Sequence, residues 1–270
     1  DLSIYASVNT NEDYNKFQDE LNQLCNWANS WCLKINYDKC KIIHFGGSNN
    51  NFKYNLNGIE IKSSTNEKIL GVVVDTNLNF KEQVYACVKK TYGIANLITT
   101  NLNHLNRNTL LKLYKCYVRP VLEYNSVFFS PHYVYLIDAL EKVQRTFTKK
   151  LAGLHDVKYM DRLCICELEL LELRRLRCDL TMLYKILHGK IHVDLNNCIQ
   201  LSSSVTRGNK YKLVKKQVRL DVRKYFYCDR VVNAWNSLSS NIVCSGTVHE
   251  FMRKLSVIDL STFLKGRAVR

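Results

Sequence analysis

Proline is nearly absent from this chain of 270 residues: Pro120 and Pro131 are the only two. Proline removes the helical N–H and clashes with the preceding turn, so its scarcity permits long helices almost everywhere. No run of about 18 uncharged apolar residues occurs, and no transmembrane helix is expected. No secretory leader is legible. Cys-x-x-Cys spacing is missing although the chain has 11 cysteines. The nearest pair, Cys164 and Cys166, has a spacing that suits no common zinc site. An odd, scattered set of cysteines is expected to be buried or free thiols in a reducing compartment, not a disulfide framework. Acidic residues are scarce, 24 against 39 lysines and arginines, which leaves a net charge of +15. That imbalance points to a polyanionic partner, nucleic acid first and an anionic membrane surface second. An apolar content of 46% supports a packed core and excludes intrinsic disorder. The length accommodates one large domain or two to three small ones.

The first helix is expected from about Asn11 to Ser30. Tyr14, Phe17, Leu21, Leu24, Ala28 and Trp31 recur at spacings of three and four and form one apolar stripe. Asn9 or Asn11 is the expected cap, and Trp27 and Trp31 are expected in the core. Lys41-Ile42-Ile43-His44-Phe45 reads as a short strand that stops at Gly46-Gly47, and Ser48 to Asn51 as a loop. Tyr54-Asn55-Leu56 and Ile59-Glu60-Ile61 flank Asn57-Gly58. Asn-Gly readily adopts the positive φ angles of a type I′ turn, so a hairpin is expected. Ile69 to Val74 reads as one further strand. From about Lys81 to Leu187 the periodicity is helical.

Two of those helices pair an apolar stripe with a basic face. Leu136, Leu140, Val143, Phe147 and Leu151 form one stripe, with Lys142, Arg145 and Lys149 on another face. Leu173, Leu176, Leu180, Leu183 and Leu187 form the second, with Arg174, Arg175 and Arg177 beside them. The stripes are expected to be buried and the basic faces wet. Gly189 stands where a helix C-cap belongs. The span from about Ile191 to Gly208 is polar and serine-rich, as linkers are.

Candidate nucleic-acid-binding residues follow from these patterns. Lys142, Arg145, Lys149 and Lys150 are placed to meet phosphates; a merely solvated helix face is the competing reading. The densest basic stretch is Arg207, Lys210, Lys212, Lys215, Lys216, Arg219, Arg223 and Lys224, with Tyr211, Tyr225, Phe226 and Tyr227 interleaved. Cations that track phosphates beside rings that stack on unpaired bases suit RNA or another single strand. His44, His104 and His188 have no partner at ligand spacing and are expected to be structural. Nothing arranges Ser-His-Asp or Cys-His catalysis, and Gly46-Gly47 is too short for a phosphate-binding loop.

Several segments, in order, resemble the reverse transcriptase of non-LTR retrotransposons (LINE-like, of the jockey or CR1 kind). Asp1-Leu2-Ser3-Ile4-Tyr5-Ala6 resembles the run that begins at the second of the paired aspartates of the palm. Trp27 through Trp31-Cys32-Leu33-Lys34-Ile35-Asn36, then Asp38-Lys39-Cys40-Lys41, resembles the palm helix and the strand after it. Leu70-Gly71-Val72 with Asp75 resembles the palm–thumb junction near the primer grip. Leu113-Tyr114-Lys115, Val118-Arg119-Pro120-Val121-Leu122-Glu123-Tyr124 and Ile137 to Leu154, with Val143-Gln144-Arg145, resemble the thumb. Leu173-Arg174-Arg175-Leu176-Arg177 with Tyr184-Lys185-Ile186-Leu187-His188-Gly189 is similar to the post-thumb region. Phe226, Arg230-Val231-Val232-Asn233 and Trp235-Asn236-Ser237-Leu238 are similar to the C-terminal box. Two positions depart from the family: Phe129 stands before Ser130-Pro131 where a tryptophan is usual, and Ser239 replaces a proline.

The resemblance implies an α+β fold: a small antiparallel palm remnant, then a mostly helical thumb and a basic mixed C-terminal module. The implied divisions are 1–80 (end of the palm), 81–190 (thumb and post-thumb), 191–208 (linker) and 209–270 (basic module). It implies an RNA-directed DNA polymerase in which Asp1 is a catalytic residue and a ligand of Mg²⁺ in the intact enzyme. Two metal ions would activate the primer hydroxyl and stabilise the leaving pyrophosphate. The first catalytic aspartate and the fingers are not in this sequence, so the chain alone is expected to be inactive. Implied partners are an RNA template, a DNA primer and the upstream fingers and palm of the same polyprotein, with no membrane and no small-molecule cofactor. The implied location is intracellular, in nucleus and cytoplasm. The rival readings are a non-catalytic RNA-binding or interaction protein from a decayed or domesticated retroelement, and an unrelated basic helical protein.

Overall fold

The computed structural model describes residues 2–47, 49–193, 198–202 and 211–266. Its fold is α+β, and the chain forms two compact units, Asp1–Glu82 and Gln83–Arg270.

The first unit opens with α1 (Asn11–Ser30). Its cap is Thr10, not either asparagine. Asp13 N–H donates to Thr10 Oγ1 at 3.1 Å and Thr10 N–H donates to Asp13 Oδ2 at 2.9 Å. This capping box satisfies two backbone donors reciprocally, which a lone Asn cap does not. The buried face of α1 carries Leu21 and Cys25, which pack with Tyr54 and Leu56 and, at the edge, with Tyr14, Phe17 and Phe52. Trp27 and Trp31 are 53% and 68% exposed, so the expectation that they fill the core fails. The helix ends at the C-cap Trp31, and Cys32, at φ 56°, turns the chain away. Core positions nearby are already filled by side chains of the hairpin.

That hairpin pairs β2 (Asn55–Leu56) with β3 (Ile59–Glu60) in antiparallel register. Asn57 and Gly58 both take positive φ, 51° and 80°, as a type I′ turn demands. Gln18 of α1 clamps it: Asn55 N–H donates to Gln18 Oε1 at 2.9 Å and Gln18 Nε2 donates to Asn55 O at 2.7 Å. The strand expected over Lys41 to Phe45 shrinks to β1 (Lys41–Ile42), because its parallel partner β4 (Lys62–Ser63) offers only two residues. The single strand expected from Ile69 to Val74 is a second hairpin, β5 (Asn66–Ile69) against β6 (Val72–Asp75). Leu70 and Gly71, at φ 46° and 84°, make its turn. Asp75 then gathers the N–H groups of Asn77 and Phe80 at 3.0 and 2.9 Å and shapes the loop leading into the helices.

The second unit is helical. In α2 (Lys81–Asn101), Val84, Cys87, Thr91, Ala95 and Ile98 are buried along one stripe. α3 (Arg107–Leu113) continues through a π-helical turn, Tyr114–Val118, into α4 (Arg119–Glu123). Pro120 cannot donate the regular helical bond, and a widened turn just before it accommodates that loss. α5 (Val134–Lys149) and α6 (Tyr159–Cys166) lead to α7 (Leu171–Leu187). Leu136, Leu140, Val143, Phe147 and Leu151 are all buried, as their spacing predicts. Gly189, at φ 63°, ends α7 in a Schellman turn: its N–H donates to Ile186 O at 3.0 Å and Lys190 N–H to Lys185 O at 2.8 Å.

Glu141 is buried among these helices. Its Oε2 accepts from Leu171 N–H at 2.9 Å, at the start of α7, and its Oε1 accepts from Tyr159 and from Gln144 Nε2. The Tyr114 hydroxyl donates to Gln144 Oε1 at 2.8 Å, which ties the π-helical turn to the same network.

The arginines of α7 do not form a wet face. Arg175 is 4% exposed and donates to Leu122 O at 2.6 Å and Phe129 O at 3.1 Å. Burial pushes its guanidinium down to about 10. Arg174 pairs with Glu123, and Arg177 pairs with Glu169 and donates to Ser256 O at 2.8 Å. The sequence pattern cannot reveal these acceptors, which lie 46 to 79 residues away for the backbone contacts of Arg175 and Arg177.

The chain closes with five short helices: α8 (Asp221–Lys224), α9 (Tyr227–Arg230), α10 (Val232–Asn236), α11 (Ser240–Val243) and α12 (Val248–Ser256). α9 to α12 pack onto α7 in one core that includes Leu180, Leu183, Tyr184, Trp235, Phe251 and Leu255. Asp179 of α7 accepts from Arg230 of α9, from Nε at 2.9 Å and Nη2 at 3.0 Å. Among the described residues no helix is long and apolar enough to cross a membrane.

Replacing Asp179 by alanine leaves Arg230 buried without its carboxylate, and we expect a loss of about 3–5 kcal/mol in urea unfolding; a loss below about 1 kcal/mol contradicts the clamp. A pH test addresses Glu141. Burial raises its carboxyl above the ordinary range, against the bonds from Tyr159, Leu171 and Gln144. The folded chain then binds this proton more readily than the unfolded chain does. The contribution is fully present below the unfolded pKa and is lost as pH rises through the folded one. Wild type should therefore lose stability relative to Glu141→Gln as pH rises from 4 towards 7, measured as the difference in Tm. A difference that stays constant or grows with pH contradicts the burial argument.

Candidate nucleic-acid interface

α5 carries the first set of candidate cations because its apolar stripe faces inward. Lys142, Arg145, Lys149 and Lys150 are all exposed. Lys142, Arg145 and Lys149 follow a three-and-four spacing on the outer face of α5. At about 1.5 Å of rise per residue they span about 10 Å. None of the four forms an ion pair with a carboxylate among the described residues. The Arg145 guanidinium stands 4.8 Å from the centre of the Tyr159 ring. Lys150 Nζ reaches across to α2 and donates to Asn96 Oδ1 at 2.9 Å. All four thus lack a carboxylate partner among the described residues, while Arg145 rests against the Tyr159 ring and Lys150 on Asn96.

The second set is spread more unevenly. Arg207 and Lys210 lie outside the described residues. Lys212 is half-buried beside the core residue Leu213, whose N–H and carbonyl bond to the Asn236 side chain, each at 2.9 Å. Lys215 and Arg219 are exposed on an extended stretch, with Lys216 half-buried between them. Arg223 is drawn into an ion pair with Asp229 at 2.8 Å and stands 5.4 Å from the Phe226 ring centre. Lys224 is exposed.

The interleaved aromatics divide into inward and outward groups. Tyr227 is buried, and its hydroxyl donates to Asp179 O at 3.0 Å. Tyr211 packs on the C-terminal core, 4.5 Å from the His188 ring, while its carbonyl accepts from Trp235 Nε1 at 2.8 Å. These two rings are structural. Phe226 is exposed, and Tyr225 stacks on His132, a residue that periodicity does not single out. Of the histidines expected to be structural, His188 is engaged: its Nε2 donates to Val243 O at 2.9 Å.

Asp1, the residue on which the resemblance places catalysis and metal binding, lies outside the described residues. Among the described residues no three His, Cys, Asp or Glu side chains come together as a metal site. The cysteines of the described residues are all free thiols.

No family model matches this chain. No solved structure matches it. An uncharacterized protein of Caenorhabditis elegans is similar to it, 23% identical over 139 residues that cover 50% of this chain and 70% of that protein.

Proposed function

We propose that the chain is the C-terminal part of an RNA-directed DNA polymerase of a non-LTR retrotransposon, and that its task is to hold the template–primer duplex. The observation that carries this reading is the exposed row Lys142, Arg145 and Lys149 on α5, within the segment that resembles the family's thumb. A thumb holds a duplex mainly through phosphates, which needs cations free of carboxylate partners and little sequence discrimination. The polymerase reaction would belong to the intact enzyme. The implied partners are an RNA template and a DNA primer supplied by the target site, which places the work in the nucleus as well as the cytoplasm.

Combined reversal of Lys142, Arg145 and Lys149 to glutamate should weaken RNA–DNA duplex binding and lower the salt slope by about one per residue, measured by fluorescence anisotropy between about 50 and 200 mM salt. Unchanged affinity and slope would remove the thumb from this reading. Reversal of Lys215, Lys216 and Arg219 should likewise weaken RNA binding and flatten its salt dependence. If that variant binds RNA as wild type does, the extended basic stretch has no part in the grip.

A further inference from the structure

A row of aromatic rings stands at the start of α5. Tyr225 and His132 stack with centroids 4.0 Å apart and planes within 8°. His132 and Tyr133 follow at 4.0 Å, and Tyr133 and Tyr135 at 5.6 Å. Three distant parts of the sequence build this row: residues 132–135 at the head of α5, Tyr225 at the end of α8, and Lys265 near the C-terminus. Lys265 Nζ lies 4.0 Å from the centre of the Tyr225 ring and Lys224 Nζ lies 5.5 Å from it.

The row is closed at one end and open at the other. Tyr225 is covered by His132 and approached by two ammonium groups. Tyr133 and Tyr135 are 44% and 48% exposed. The main chain fixes Lys265 in place: its N–H and that of Gly266 donate to the Glu172 carboxylate at 2.8 and 2.9 Å. Burial, reinforced by Lys265 and opposed by Asp221, holds His132 below the ordinary histidine range, so its ring is uncharged at neutral pH. His132 lies parallel to Tyr225, and Tyr133 and Tyr135 continue the row at tilts of 38° and 31°. Tyr135, Lys142 and Lys149 are spaced by seven residues along α5. Residues seven apart in a helix differ by only about 20° in direction, so the open end of the row shares a face with the α5 cations.

We infer that this row is a stacking site for unpaired bases of a single-stranded nucleic acid, with Lys224 and Lys265 meeting its phosphates. Bases inside a duplex hide their faces, whereas an unpaired strand presents them to exposed rings, and flanking cations neutralise its backbone. The site goes beyond the duplex grip, since rings recognise bases and the α5 cations recognise backbone, and the two can fail separately.

The test is anisotropy titration of the whole chain and of a Tyr133→Leu/Tyr135→Leu variant. The probes are an unstructured RNA of about 12 nucleotides, within the length such sites cover, an abasic strand of equal length, and an RNA–DNA duplex. Both rings are exposed, so the variant should keep the wild-type circular dichroism. We expect it to lose about tenfold or more in affinity for the RNA strand, with duplex affinity unchanged. Wild type should also prefer the RNA strand over the abasic one by about the same factor. Equal binding of RNA by both proteins, or equal binding of abasic and base-bearing strands by wild type, overturns the inference. The second comparison decides the matter even if the variant fails to fold.

Discussion

The helical unit depends on two guanidinium groups, that of the buried Arg175 on α7 and that of the largely covered Arg230 beside it. The turn between α4 and α5 leaves carbonyls pointing into the interior, and a buried carbonyl must find a donor. Arg175 supplies Leu122 O and Phe129 O, while Arg230 supplies Val127 O at 2.7 Å and Ser126 O at 3.2 Å. Neither cation is tolerable there without compensation. Asp179 gives Arg230 a two-pronged partner from α7 itself. Arg175 is balanced by carbonyl dipoles and by the face of Phe129, 5.0 Å away. Such arrangements add little net stability over an apolar core but penalise any other register, because a slip would strand both charges. The short helices α9 to α12 are each too brief to persist alone, and this register lets them seat their apolar residues on α7.

The same clamp changes what the net charge means. Arg162, Arg174, Arg175, Arg177 and Arg230 all point into carbonyls, carboxylates or both. Their positive charge belongs to the architecture. Among the candidate residues, the outward cations that a polyanion could meet are Lys142, Arg145 and Lys149 on α5 and Lys215, Arg219 and Lys224 later in the chain. Arginine does the interior work and lysine dominates the outside. That division follows from chemistry: the planar guanidinium can satisfy several fixed acceptors at once, whereas the ammonium is a compact, strongly hydrated charge.

Local rules made part of this structure legible in advance. α1 runs from Asn11 to Ser30 because its stripe has helical spacing, and the Asn57-Gly58 turn follows from backbone sterics alone. The buried stripe of α5 is likewise a local pattern. What escaped were features decided by distant partners. Arg175 looks like a surface arginine until Leu122 O and Phe129 O are placed beside it. Leu70-Gly71 reads as strand interior because the polar β5 that completes the hairpin has no alternating apolar signature. Trp27 and Trp31 read as core because tryptophan is apolar, yet that core is filled by Leu21 and Cys25 of α1 with Tyr54 and Leu56, and with Tyr14, Phe17 and Phe52 at its edge. The ring row was least legible of all: its tyrosines and its lysine come from segments about 90 and 130 residues apart, which only the fold brings together.

α5 also imposes a geometric constraint on any nucleic acid that it holds. The helix is rigid over its 16 residues, so its ring end and its cation end keep a fixed separation. From Tyr135 to Lys142 is about 10 Å, and to Lys149 about 21 Å, at about 1.5 Å per residue. On the proposed reading, bases lifted onto the rings would lie only a few nucleotides from the phosphates held by α5. A strand that is paired along the cations must therefore be unpaired within that distance to reach the rings. The helix would then locate a junction between duplex and single strand by its length alone, without reading any base sequence.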